Sequence, residues 1–180
     1  VKIIGIDPSL TAPGFAGIVN GRVVGTETYV PSKIKGRVTE QARHRRLAEI
    51  LVVARDWATG ADLVVIEGLA YDGHDTMRQL AGLHWLLRHS LWSGDRTVAL
   101  VTPSSLKAFA TGRGGADKDD MLALARQSFP GVEIGDHNAA DALWLAETGA
   151  AHLGCPVLDT SAERVTHIQG VTWPKSDLAA

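Results

Sequence analysis

Two short apolar runs, each closed by an acidic residue, constrain this chain more than any other feature. Asp62-Leu-Val-Val-Ile-Glu67 holds four aliphatic residues in an unbroken row. A strand apolar on both sides suits a sheet covered on both faces, as parallel sheets are. Val1 to Ile6 is β-rich in the same way and ends at Asp7. If these two strands are parallel neighbours, both carboxylates leave the sheet at one edge, where open α/β sheets place their sites. Two acids in such proximity repel unless a proton or a cation lies between them. A hard divalent cation with oxygen ligands is the natural partner.

The remaining chain reads as strands and helices that can build such a sheet. Phe15 to Val19 follows a turn at Pro13-Gly14, and Asn20-Gly21 is a two-residue hairpin signal. Arg22 to Val30 returns as a third strand. Leu47, Ile50, Leu51 and Ala54 mark a helix over residues 39–57. A second helix is predicted over 76–92, a buried strand over 97–101, and shorter helices over 103–109 and 117–129. The last helix spans 138–153, with Asp136 or Asn138 as its N-cap. Strands joined by helices run parallel, whereas the opening hairpins are antiparallel. The pattern predicts an α/β fold, a mixed five-stranded sheet with helices on both faces, over residues 1–153. Residues 154–180 form an extension that either adds an edge strand near Val171 or wraps the surface.

Composition bounds the function classes. With 180 residues, 45% of them apolar, the chain can bury one sizeable core. No run approaches the ~20 apolar residues of a membrane span. Val1 to Ile6 is too short for a secretory signal, and the lone Cys155 fits a reducing compartment. The reading is a cytoplasmic protein. A net charge of −2 argues against a general nucleic-acid binder. Locally, however, Lys33, Lys35, Arg37, Arg43, Arg45 and Arg46 gather with Glu40 as their only acid. Taken alone, that run reads as a solvated helix face.

A third acid, Asp141, stands near the start of the last helix, three residues after Asn138 and on the same helical face. Each acid has an ordinary explanation: a turn at Asp7-Pro8, a solvated strand end at Glu67-Gly68, a favourable dipole interaction at Asp141. Together they read as one site. Lys118 is a cation at a helix start, against the macrodipole. It is either neutralised by Asp117, Asp119 and Asp120 or held there to meet phosphate.

Ile3-Ile-Gly-Ile-Asp7-Pro-Ser-Leu-Thr-Ala-Pro-Gly14 resembles the first motif of the RuvC-type Holliday junction resolvases, in the RNase H-like superfamily. Leu63-Val-Val-Ile-Glu67 resembles their second motif, and Ala139-Ala-Asp141-Ala-Leu143 their last. Lys107 and the stretch Gly112 to Lys118 resemble the lysine-bearing region between them. The ordered set spans residues 1–153 and looks most like the phage-borne branch, which would place the protein in the host cytoplasm. The family usually carries a second acid three residues before the last Asp. Here that position is Asn138, so the fourth ligand is Asn138 through its carbonyl oxygen, His137, or Asp136 after a local shift.

The resemblance implies an RNase H-like fold and metal-dependent hydrolysis of phosphodiesters at four-way DNA junctions, using two Mg²⁺ or Mn²⁺ ions. It implies catalytic roles for Asp7, Glu67, Asp141 and Lys118. The metal ligands would be Asp7, Glu67, Asp141 and Asn138, with His137 as rival. Lys107, Arg113, Lys118, Arg43, Arg45 and Arg46 would meet DNA, and Tyr71 would stack on an unpaired base. A homodimer is expected through the helix containing Leu83 and Leu87, whose apolar residues cover more than one face. His74, His84 and His89 form no metal set and read as core or helix-surface residues. Three readings compete: a nuclease for RNA–DNA hybrids or general branched DNA, an actin-like nucleotide-binding module, and an inactive DNA-binding homologue. The chain is short for two actin-like lobes.

Overall fold

The computed structural model describes residues 1–34, 36–69 and 75–174. Three antiparallel strands open the chain: β1 (Lys2–Asp7), β2 (Gly14–Val19) and β3 (Arg22–Thr28). The β2–β3 turn has Asn20 and Gly21 at φ 48° and 71°, the left-handed pair that a type I′ hairpin requires. Then come α1 (Glu40–Ala58), β4 (Leu63–Glu67), α2 (Asp75–Trp92) and β5 (Val98–Val101), with β4 parallel to β1 and β5 parallel to β4. Helices α3 (Pro103–Thr111), α4 (Lys118–Ser128) and α5 (His137–His152) follow, and a short α6 (Ala162–Thr166). The strand order is β3-β2-β1-β4-β5, so β1 is central. The mixed five-stranded sheet read from the sequence is present. Among the described residues, no helix is long and apolar enough to cross a membrane.

Strand periodicity decides which way the acids point. Ile3 lies opposite Leu63, and Ile6 opposite Ile66. Successive side chains alternate between the faces of a sheet. Ile4, Ile6, Val64 and Ile66 pack with Ala54 of α1 and with Leu87 and Leu91 of α2. Ile3, Leu63 and Val65 pack on the other face with α3, α4 and α5. Asp7 and Glu67 continue this second set, one residue beyond the last registered pair. Both carboxyls therefore stand on the α5 face.

Helix α5 lies directly on the backbone of β1 and β2. A Cβ on Gly5 would sit 1.9 Å from the carbonyl oxygen of Ala142, and one on Gly14 would sit 2.0 Å from that of Asn138. From the helix side, a Cβ on Gly149 would meet methyls of Val65 and Ile3 at 2.7 and 2.8 Å. Asn138, Ala142 and Gly149 thus form a contact stripe at helical spacing, which fixes the height and rotation of the helix. Asp136 is its N-cap, accepting from the N–H groups of Asn138 and Ala139 at 3.1 and 3.0 Å and from the Thr28 hydroxyl. The helix starts one residue earlier than its sequence suggested. Asp141 consequently falls in the second turn, past the first turn where the macrodipole acts.

The segment after α5 wraps the domain and forms no strand near Val171. Ile168 is buried in the α5-side core, with Val157, Leu158, Val171 and Trp173 packed against it. Glu147, fully buried in α5, accepts from the N–H groups of Val157 and Leu158 at 3.0 and 2.9 Å. Arg164 donates to the Ala110 carbonyl and lies over the Trp144 ring. Residues 154–174 share the core of the domain.

Candidate active site

The three acids meet at the C-terminal edge of β1 and β4, under the second turn of α5. Asp7 is the most buried, at 8% exposed; Glu67 and Asp141 are half-buried. Burial, then the charges of Glu67 and Asp141, push the Asp7 carboxyl well above the usual carboxylate range. Burial and Asp141 raise Glu67 to about 7. Burial raises Asp141 to about 6 against the pull of Lys118, His137 and Lys107. The Asp7 and Glu67 carboxyls interact side chain to side chain, which raises Asp7 further and pulls Glu67 down. Three carboxyls that feel each other in this way are short of positive charge.

Two lysines supply part of it. Lys118 acts on all three acids, and Lys107 on Glu67 and Asp141. Lys118 is the first residue of α4, whose N-cap Asp117 accepts from Asp120 N–H at 2.8 Å. The Trp144 indole donates to the Met121 carbonyl and ties the start of α4 to α5. His137 makes a second tie: its Nδ1 donates to the Lys118 carbonyl at 2.9 Å, and its Nε2 lies 3.5 Å from Asp119. Both ring nitrogens are thereby engaged with α4. Asp136 is likewise committed, as the α5 cap. Of the three candidates for a fourth ligand, Asp136 and His137 are spent on structural bonds, which leaves Asn138.

The donor chemistry fits a divalent cation. Among the described residues, no three His, Cys, Asp or Glu side chains close around one point as a ready-made cage. A cation beside Asp7 and Glu67 would relieve the mutual repulsion of their charges. Oxygen donors alone, buried and short of counter-charge, suit Mg²⁺ or Mn²⁺.

No protein-family model matches the chain. Individual relatives do. It is 32% identical over 153 residues to the crossover junction endodeoxyribonuclease RuvC of Parvibaculum lavamentivorans, covering 79% of this chain and 82% of that protein. The chain belongs to the RuvC family. A second RuvC, from Leifsonia xyli subsp. xyli, is 29% identical over 165 residues, covering 89% and 79%. Thermus thermophilus RuvC, solved in complex with a Holliday junction substrate, shares the RNase H-like fold with a TM-score of 0.63 at 18% identity, over 86% of this chain and 97% of that one. The RuvC relatives named here are bacterial, which favours the cellular family over the phage-borne branch.

Other candidate residues lie apart from the acids. Arg113 is exposed and paired with Asp120 at 2.8 Å. Arg43, Arg45 and Arg46 occupy the first two turns of α1, on the opposite face of the sheet; Arg43 is bonded to Glu40. Tyr71, His74 and Lys35 lie outside the described residues. Leu83 and Leu87, in the helix expected to form a dimer, are themselves buried in the domain at 0% and 1% exposed. Among the described side chains of α2, the large apolar ones that face outward are Trp85, Leu86 and Trp92. His84, set aside as a core residue, is buried and its Nε2 donates to the Glu67 carbonyl at 2.9 Å. No local sequence pattern announces that bond.

The raised carboxyls predict how the metal-free protein responds to pH. A group whose pKa rises on folding stabilises fully below its unfolded value and loses that contribution as pH climbs through the folded one. For Glu67 that window runs from 4.5 to about 7, and for Asp141 from 3.8 to about 6. Melting temperature in EDTA should fall across this range, less steeply in Glu67→Gln, and added Mn²⁺ should restore more of it at the alkaline end. Equal slopes in wild type and Glu67→Gln would contradict the assignment.

Proposed function

We propose that this chain is a structure-selective endodeoxyribonuclease that hydrolyses phosphodiesters at four-way DNA junctions with two Mg²⁺ or Mn²⁺ ions. The observation that carries the reading is the convergence of Asp7, Glu67 and Asp141 on one face at one sheet edge, in a member of the RuvC family. The activity of the relatives, crossover junction endodeoxyribonucleases by name, and the junction bound to the Thermus thermophilus protein support the substrate class.

Asp7, central and most buried of the three acids, would be a ligand to the cations. Glu67 and Asp141 hold the site from either side, and Asn138 offers a neutral carbonyl oxygen where the family usually has an acid. When bound, the two cations supply an activated water and neutralise charge on the leaving 3′ oxygen. Lys118 meets charge developing on the scissile phosphate, and the helix-start amides of α4 support it. Lys107 and Arg113 follow the phosphate backbone. The chain leaves β3 at the acids' edge of the sheet, since Thr28 pairs with Gly14 and Gly14 with Asp7, and Arg43, Arg45 and Arg46 at the start of α1 are assigned to DNA approaching that edge. That edge gathers positive charge for DNA although the whole chain carries −2. Residues 1–153 bear the nuclease site, and the extension braces α5 through Glu147. The protein works where DNA is, in the cytoplasm.

A homodimer through the outer face of α2 accompanies this function. Trp85 and Trp92 are 67% and 71% exposed and border a groove of about 1160 Å³. Large apolar side chains exposed together mark interaction surfaces. A two-fold dimer presents two sites to a junction of matching symmetry.

Two results are expected. A synthetic four-way junction should be cut in Mg²⁺ in preference to linear duplex, flap and RNA–DNA hybrid. Asp7→Asn should bind the junction normally but lose more activity than the roughly 10–100-fold typical of residues that only orient a ligand. Equal cutting of the hybrid, or an active Asp7→Asn, would overturn the reading. Sedimentation should show a dimer that Trp85→Ala with Trp92→Ala converts to monomer. A wild-type monomer at micromolar concentration with junction present, or an undisturbed double variant, would remove the dimer.

A further inference from the structure

We infer that His84 is a positioning residue for the acid cluster, acting from the opposite face of the sheet through the main chain of Glu67. The inference rests on the metal-dependent reading above and adds a residue to it. His84 lies in α2, 3% exposed, between Leu83 and Leu87 of the buried face. Its Nε2 is 2.9 Å from the Glu67 carbonyl oxygen. A carbonyl only accepts, so Nε2 carries the hydrogen whatever the charge of the ring.

The location of that bond gives it consequence. Glu67 is the last residue of β4, and the registered pairing with β1 stops one residue earlier, at Ile6 and Ile66. The peptide plane leaving Glu67 carries two polar groups. The Gly68 N–H donates to the Val101 carbonyl at 2.7 Å, and the Glu67 carbonyl accepts from His84. Both ends of one peptide plane are therefore held, by β5 on one side and α2 on the other. That fixes the backbone at Glu67 and with it the direction in which its carboxylate leaves the strand. A cation site tolerates about 0.5 Å of misplacement in its ligands. A satisfied core histidine would need only some acceptor; this one takes the carbonyl of a proposed ligand, at the point where the strand ladder ends.

The test compares His84→Leu, which keeps bulk and removes the donor, with His84→Gln, whose amide can still donate. Mn²⁺ affinity is measured by calorimetry without DNA, and junction affinity in EDTA. His84→Leu should need about tenfold more Mn²⁺ for half-saturation while binding the metal-free junction as wild type does. His84→Gln should recover most of the Mn²⁺ affinity. Wild-type Mn²⁺ affinity in His84→Leu, or equal losses in both variants, would reduce His84 to core filling. If His84→Leu does not fold, the ¹⁵N spectrum of the wild-type imidazole decides. Nε2 should be protonated and its resonance should move on addition of Mg²⁺; an Nδ1–H tautomer or an unmoved resonance overturns the proposal. A wild type that binds no divalent ion overturns both this proposal and the nuclease reading. An unaffected His84→Leu beside a metal-binding wild type overturns this proposal alone.

Discussion

Everything at the site depends on how closely α5 approaches the sheet. Side chains normally hold a helix and a sheet about 10 Å apart. Here Gly5 and Gly14 remove them, and the helix backbone rests on the strand backbone. The approach lowers the second turn of α5 to the level of the strand ends, so an acid on the helix reaches two acids on the sheet. Any side chain at Gly5 would displace the Ala142 carbonyl, and Asp141, one residue away, would move with it. Overpacking of this kind costs roughly 1–3 kcal/mol or more, but the functional loss would come from geometry.

That closeness sets up an electrostatic problem. Carboxyls buried among carboxyls resist ionisation, which is why all three are shifted upward. The protein answers it only in part. Lys118 and Lys107 supply positive charge from α4 and α3, helices anchored to α5 by Trp144 and by core packing. The remaining deficit is the reason a divalent cation is the natural occupant. A site tuned for stability alone would have been fully neutralised by its own side chains.

The parts of this arrangement legible in the sequence are those with a short period. A repeat of two places Asp7 and Glu67 on one face once their strands are parallel, and apolar runs signal that they are. Asn20-Gly21 encodes its own turn. Asp141 joins the site on its place near the start of the last helix and on the family resemblance together, since no local rule fixes how a late helix lies on an early sheet. Where periodicity is ambiguous, the sequence does not say which side of a helix faces in. Helix α2 is apolar on several sides, and nothing local told Leu83 and Leu87, which face the core, from Trp85 and Trp92, which face out. The bonds of His84 and Glu147 are not legible because their partners, the Glu67 carbonyl and the amides of Val157 and Leu158, are main-chain groups 10 to 17 residues away. Asp136 and Asn138 are both good caps, so the helix start was displaced by one residue.

The central claim is that strand ends and α5 build one cation site from three acids. Direct binding of Mn²⁺, followed by its paramagnetic resonance signal in the absence of DNA, tests it. Wild type should take up Mn²⁺, and Asp7→Asn and Asp141→Asn should each lose it while melting cooperatively. Undiminished binding by Asp141→Asn would show that α5 contributes no ligand, and the account of a site assembled across the helix–sheet contact would be wrong.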